Sequence, residues 1–161
     1  MKLLGQGSFG RVWKDENPPG RSGYYTPDKC IAKKVIENPD DNAWAEVQLL
    51  QSLHHENIVR CLGSYRSNSS EVTSLTIVME YCDNGTLEKW LSSFSTEQPL
   101  PEFQIWRLVW QLSEALSFLH SQNPPLLHKY LKPASILCKS GNGGGTDIKI
   151  VYFGFCGVLG G

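Results

Sequence analysis

Leu126-Leu127-His128-Lys129-Tyr130-Leu131-Lys132-Pro133-Ala134-Ser135-Ile136-Leu137 is the stretch around which the chain is organised. Within it a phenol, Tyr130, and a hydroxyl, Ser135, stand among the basic residues Lys129 and Lys132. A phenol with an ordinary pKa near roughly 10 is mostly neutral at pH 7. A hydroxyl is a weak, uncharged ligand for a hard cation such as Mg²⁺. The strongest helical pattern in the chain lies just upstream. It begins at Pro101-Glu102-Phe103 and carries Ile105, Leu108, Leu112, Ala115 or Leu116, and Leu119 at intervals of three and four. Asn123-Pro124-Pro125 stops it, because proline cannot continue a helix. Trp106 and Trp110, one turn apart, read as packing residues of that helix.

Working outward, 161 residues suffice for one domain with a real core. Fifteen Lys and Arg against sixteen Asp and Glu leave a net charge of -1, without the basic excess of a general nucleic-acid or anionic-membrane binder. No run approaches the roughly 20 apolar residues of a membrane span. The five cysteines are scattered, odd in number and without a C-x-x-C pair, which points to reduced thiols rather than a zinc site or a disulfide framework. The expectation is a soluble, cytoplasmic or nuclear protein with no nucleic-acid and no membrane partner.

Near the start, Gly5-Gln6-Gly7-Ser8-Phe9-Gly10-Arg11-Val12 is a G-x-G-x-x-G-x-V stretch. Glycines at this spacing let a hairpin backbone approach a ligand and turn its N–H groups toward phosphate oxygens. A dinucleotide fold would require a helix directly after the glycines. Here Arg11-Val12-Trp13-Lys14 runs into the turn-rich Asn17-Pro18-Pro19-Gly20, so strand, glycine turn, strand is expected. Lys29 to Ile36 reads as a strand from its β-branched content. Ala32 and Lys34 share one of its faces, and Ile31, Lys33 and Val35 the other. Asn38-Pro39-Asp40-Asp41-Asn42 supplies helix-start chemistry for a helix over Ala43 to Leu53 that carries Glu46. His54 and His55 read as a helix end and turn. Ser67 to Ser70 reads as a polar loop, and Ser74 to Glu80 as a buried strand that ends toward an Asn84-Gly85 turn.

Taken together, these stretches resemble the protein kinase family. Leu126 to Leu137 resembles its catalytic loop, His-Arg-Asp-Leu-Lys-Pro-x-Asn. Ile148 to Phe155 is similar to the strand entering Asp-Phe-Gly, and Thr76 to Gly85 to the hinge of the NIMA-related kinases. The resemblance implies an α+β fold with a small β-rich N-lobe, about 1–80, carrying one helix. A hinge at 81–85 and the first, mainly helical part of the C-lobe at 86–161 would follow. By this likeness the residues cover about the first half of the family's domain, which would leave apolar surface on the Pro101 to Leu119 helix uncovered and open to oligomerisation.

The same resemblance assigns nucleotide contacts to Gly5, Gly7, Gly10, Val12, Ala32, Met79 as gatekeeper, the backbone of Glu80 and Cys82, and Leu137. Lys34, with Lys33 as the alternative, would reach the phosphates and be held there by Glu46. Lys132 would meet the transferred phosphate. Tyr130 stands in the slot of the proton-accepting Asp, and Ser135 and Tyr152 in the two metal-ligand slots. ATP is therefore the implied ligand and Mg²⁺ binding is doubtful. The leading reading is a pseudokinase-like nucleotide-binding fragment with a protein partner or substrate. An active or formerly active Ser/Thr kinase and a non-catalytic scaffold are the alternatives, beside a decayed product without function.

Overall fold

Strand alternation and glycine turns build the first part of the chain, and a long helix with short hairpins builds the rest. A computed structural model describes residues 1–7, 10–16, 30–69, 72–141 and 144–158. Ser8 and Phe9 of the glycine stretch, the turn at 17–20, and Lys29 lie outside the described residues. The chain divides into two units, Met1–Leu53 with Arg60–Tyr81, and His54–Val59 with Cys82–Gly161. The architecture is the expected α+β one, a β-rich N-lobe and a more helical C-lobe.

The first unit is a five-stranded antiparallel sheet in the order β1-β2-β3-β5-β4. Its strands are β1 (Lys2–Gly7), β2 (Gly10–Asp15), β3 (Ile31–Glu37), β4 (Cys61–Asn68) and β5 (Thr73–Glu80). The strand carrying the lysine pair, β3, is central and not an edge. The only helix described in this unit is α1 (Asp41–Ser52). Asp40 caps it, its carboxylate accepting the Ala43 N–H at 2.9 Å and satisfying one of the donors a helix start leaves open. Ala43, Glu46, Val47 and Leu50 form its buried face. Ile31, Leu75, Ile77 and Val78 fill the core of this lobe.

The second unit comprises α2 (Leu87–Leu91), α3 (Glu102–His120), β6 (Leu126–Leu127), β7 (Ile136–Ser140), β8 (Thr146–Ile150) and β9 (Gly157–Val158). β7 pairs with β8 and β6 with β9, both antiparallel. Residues 54–59 sort with this unit because their backbone extends the β7–β8 hairpin. Val59 N–H donates to the Ile150 carbonyl at 3.0 Å, and Ile150 N–H to that of Asn57 at 2.9 Å. Ile136, Cys138 and Ile148 form a buried cluster on which Leu87, Trp90, Leu108 and Leu112 pack.

The length of α3 agrees with the sequence pattern, and Leu108, Leu112, Ala115 and Leu119 of the apolar repeat turn inward, but the helix also buries two glutamines and leaves Ile105 outside. Gln104, Gln111, Ala115 and Leu119 are its buried residues. Ile105, Trp106 and Trp110, expected to pack inward, are exposed. The reason is a polar one. Gln104 exchanges two hydrogen bonds with the Thr146 backbone, at 3.0 and 3.1 Å. Gln111 accepts the Ile148 N–H at 2.8 Å. These amides satisfy the outer edge of β8, which would otherwise present unpaired backbone groups. The helix therefore turns its glutamines inward and part of its apolar surface outward.

Candidate functional site

In the first unit the sheet and α1 converge on one ion pair. Lys34 on β3 extends toward α1, where both carboxylate oxygens of Glu46 accept from its Nζ, at 2.8 and 2.7 Å. The two side chains are only 4 % and 6 % exposed. Strand alternation separates the neighbouring lysine: Lys33 points to the other face and pairs with Asp15 at 2.6 Å. The two candidate lysines are thus distinguished by their partners. Ala32 is buried beside Met79, its register partner on β5. Glu80, also on β5, donates its N–H to the Arg60 carbonyl and accepts the Arg60 N–H on its carboxylate, at 3.0 and 2.9 Å. Val12 on β2 pairs in register with Lys34.

The three glycines differ in what they do. Gly5 and Gly7 lie in the exposed strand β1, and a methyl group on either would meet nothing. Gly10 has φ +104°, and a Cβ there would overlap the Val35 carbonyl oxygen and approach its carbon to 3.2 Å. Gly10 is therefore required by the sheet itself, whatever ligand the loop meets. We expect Gly10→Ala to cost about 1–3 kcal/mol in strain and to lower the melting temperature in a thermal scan. Gly7→Ala should leave it within the change produced by about 0.5 kcal/mol. Equal losses for the two variants would refute this division of roles.

In the second unit the catalytic-loop stretch is closed on itself. Ser135 is fully buried. Its Oγ accepts the Lys132 N–H at 2.9 Å and lies 2.6 Å from the Tyr130 carbonyl and 2.9 Å from that of Lys132. A hydroxyl carries one proton and two lone pairs, so this oxygen is used up bracing the turn of Pro133–Ser135. The Tyr130 phenol oxygen accepts from Lys132 Nζ at 2.7 Å, and its ring stacks at a tilt on Phe155 with centroids 5.0 Å apart. His128 is buried. Its Nε2–H donates to the Val151 carbonyl at 2.8 Å, and its Nδ1 accepts the Tyr130 N–H at 3.3 Å. Burial lowers the imidazole pKa below its usual value, against the opposing pull of the Val151 carbonyl. The neutral ring thus bridges the loop and the strand that leads to Tyr152, edge-on to the buried Phe153 at 5.1 Å.

Tyr152 holds the left-handed backbone conformation, φ 68° and ψ 64°, which is strained for a bulky residue. Lys129 shares it, at φ 61°. Leu137, the remaining nucleotide-contact candidate, lies on β7 opposite Lys149. Cys82, at the start of the second unit's main segment, is buried.

Ser135 and Tyr152, which the family resemblance would put at two metal-ligand positions, offer no charged oxygen for Mg²⁺. Ser135 Oγ is buried in hydrogen bonds within its own turn, and Tyr152 offers a phenol where the hard cation favours a carboxylate. Asp147, five residues before Tyr152 in sequence, has its own partners. It accepts from Arg107 Nη2 at 2.5 Å and from Gln111 Nε2 at 2.6 Å. Among the described residues no cluster of three or more His, Cys, Asp or Glu is arranged to hold a metal ion. No described helix is long and apolar enough to cross a membrane.

Two features of this region escaped the sequence. Ser135 reads as a degraded ligand and proves to be a brace. Gln104 and Gln111, to which the sequence pattern assigned no role, are buried positioning residues for β8; their seven-residue spacing, which puts them on one helical face, was the available signal.

The model of the protein kinase domain matches residues 1–161. The chain is 32% identical to serine/threonine-protein kinase 36 of Pongo abelii over 165 aligned residues, covering 99% of this chain and 11% of that protein. It is 33% identical to cell division control protein 7 of Schizosaccharomyces pombe, covering 94% of this chain and 13% of that protein. It is 31% identical to U-box domain-containing protein 34 of Arabidopsis thaliana, covering 84% of this chain and 16% of that protein. The chain thus spans less than a fifth of the length of each of these relatives. A family match along every residue, on a fold with the two lobes that family requires, places this chain in the protein kinase domain family, among the relatives of the Ser/Thr kinases.

Proposed function

We propose that this chain is a pseudokinase-like domain of Ser/Thr-kinase lineage, on the NIMA-related side by the likeness of Thr76 to Gly85, that binds adenine nucleotide without relying on Mg²⁺ and is impaired in phosphotransfer. The observation that carries this reading is a contrast between two sets of residues. The phosphate-directed lysine keeps its buried partner, Lys34 on Glu46. The slots for the base and the metal ligands are filled by Tyr130, Ser135 and Tyr152.

Phosphoryl transfer needs the nucleotide positioned, the developing charge neutralised and an acceptor hydroxyl oriented by a base. Lys34 supplies a cation for the phosphates and Glu46 its orientation. Adenine readout by backbone groups at Glu80 and Cys82 tolerates changed side chains. The base is absent, because Tyr130 offers no carboxylate to take the proton and its phenol oxygen already accepts from Lys132 Nζ. Protein partners in the cytoplasm or nucleus are the corresponding setting. The exposed apolar face of α3 supports a second reading, a scaffold whose pocket is incidental.

Thermal scans with and without nucleotide test the binding half directly. ATP at about 100 times its Kd stabilises a single-site binder by about 2.7 kcal/mol, on the order of 5–10 °C for a domain of this size. The expected shift is the same in EDTA as in millimolar Mg²⁺ and vanishes in Lys34→Ala. A shift that appears only with Mg²⁺ would overturn the metal-independent reading. The absence of any shift would leave the scaffold reading in its place.

A further inference from the structure

We propose that Asp83 and Ser140 are positioning residues for nucleotide binding: their two-point contact fixes the main chain just after Cys82, a role that rests on the Cys82 backbone reading adenine.

β7 offers two edges. Along one it pairs with β8, from Ile136 opposite Ile150 to Ser140 opposite Thr146. Along the other it receives the chain that follows Cys82. Asn84 N–H donates to the Cys138 carbonyl at 3.0 Å, and Cys138 N–H to the Gly85 carbonyl at 2.8 Å. Thr86 then forms an antiparallel bridge with Leu137. Its hydroxyl also caps α2, accepting the Lys89 N–H at 3.3 Å. Residues 84–86 thus lie on β7 as a short third strand that leads directly into a helix.

Backbone groups in an antiparallel ladder point to alternate edges from residue to residue. Ser140, two positions beyond Cys138, therefore aims its N–H at the edge that Cys138 uses. The neighbouring chain makes its turn there, at Asp83 and Asn84. The acceptor is instead a side chain. Asp83 Oδ1 accepts the Ser140 N–H at 2.8 Å, and Oδ2 accepts the Ser140 hydroxyl at 2.7 Å. Asn84 Nδ2 donates to the same hydroxyl at 3.4 Å. One carboxylate, with an oxygen for each donor, extends the ladder by a step. Burial pulls the Asp83 carboxyl pKa upward, but the hydrogen bonds from Ser140 outweigh it and hold it below the usual value. At neutral pH both contacts are charge-assisted.

The place of this contact in the chain gives it its effect. Asp83 directly follows Cys82, whose side chain is buried. Pinning the carboxylate at two points restricts the backbone of the turn one residue closer to Cys82 than the Asn84 hydrogen bond does. Both Asp83 and Ser140 are exposed, so the core does not depend on them. What they set is the fraction of folded molecules whose Cys82 backbone is in place to bind.

Calorimetric titration with ATP in EDTA at 25 °C, with a thermal scan and amide hydrogen exchange of the ligand-free chain, tests this role. Asp83→Ala should raise the Kd about 5–10-fold, the effect of one net hydrogen bond on the binding-competent fraction. Its melting temperature should fall by no more than about 4 °C. In a chain that is still folded at 25 °C, a merely structural contact would leave the Kd unchanged. Ser140→Ala, which keeps the N–H contact, should fall between wild type and Asp83→Ala. Asp83→Asn keeps an acceptor for the N–H and turns a donor toward a hydroxyl that can accept, so its Kd should stay within about 2-fold of wild type. The Asn84 and Ser140 amide protons should exchange faster in Asp83→Ala and not in Asp83→Asn. A wild-type chain that takes up no ATP would remove the nucleotide reading and this role with it. Wild-type binding with an equal Kd in Asp83→Ala, or unchanged exchange at Asn84 in that variant, would overturn the positioning role alone.

Discussion

Glu46→Gln is expected to destabilise the first unit by about 3–5 kcal/mol, because it leaves the buried Lys34 ammonium without its counter-charge. Both carboxylate oxygens of Glu46 hold Lys34 Nζ, and neither side chain has appreciable access to water. The amide keeps the shape and one acceptor oxygen but removes the charge, and it brings two N–H donors to a site that faces an ammonium. The loss in melting temperature should be on the order of 10 °C at about 2–4 °C per kcal/mol for this size. The double variant Lys34→Met with Glu46→Leu should recover most of it, since replacing a whole buried pair with apolar groups of similar volume is often neutral or stabilising. Chemical denaturation of the three proteins checks this. A single-variant loss below about 1 kcal/mol would mean that water reaches the pair and screens it. The double variant, stable but without the lysine, also becomes the control for nucleotide binding.

The second large effect concerns catalysis. In the chain as it stands, transfer of labelled γ-phosphate to a generic basic protein with Mg²⁺ is expected at background. Combining Tyr130→Asp, Ser135→Asn and Tyr152→Asp should raise it by about 10²–10⁴-fold, the contribution of a positioned general base, with more where the restored ligands recruit the metal. The three changes are expected to act together and not singly. Ser135→Asn alone removes the hydroxyl that braces Tyr130 and Lys132, and unsatisfied buried groups cost about 1–3 kcal/mol each. Tyr152→Asp places a small polar residue in a left-handed conformation that Asp tolerates better than Tyr. It should therefore hold its ground in stability even while activity is still absent. If the triple variant folds, binds ATP and still transfers nothing, the three side chains are not what limits the chemistry.

Local chemistry made several elements legible before any coordinates. The stretch Asn38 to Asn42 could be read as the start of α1 because such residues before an apolar helical repeat cap open N–H groups, and the structure gives that role to Asp40, which accepts from Ala43. The β3 run showed that Ala32 and Lys34 share a face, because strand side chains alternate. The proline pair after Asn123 bounded α3. At Gly10 the motif was visible, but its reason was not. The nearest obstacle is the carbonyl of Val35, a residue on another strand.

What the sequence determined by itself was the family and the type of several elements, β3, α1, β5 and α3 among them, because these depend on residue identity and on neighbours a few positions away. Tertiary structure decided which groups those residues meet. It showed that Lys34 pairs with Glu46 while Lys33 pairs with Asp15, that Ser135 braces its own turn, that His54–Val59 extends the β7–β8 hairpin, and that α3 turns Gln104 and Gln111 inward and its tryptophans out. The physical reason is common to all four. A polar group's fate is set by whether folding brings it a partner, and those partners come from elsewhere in the fold or from a turn whose shape only the folded chain fixes. Hydrophobic periodicity counts apolar residues and does not register the unpaired β8 edge that drew two glutamines into the core.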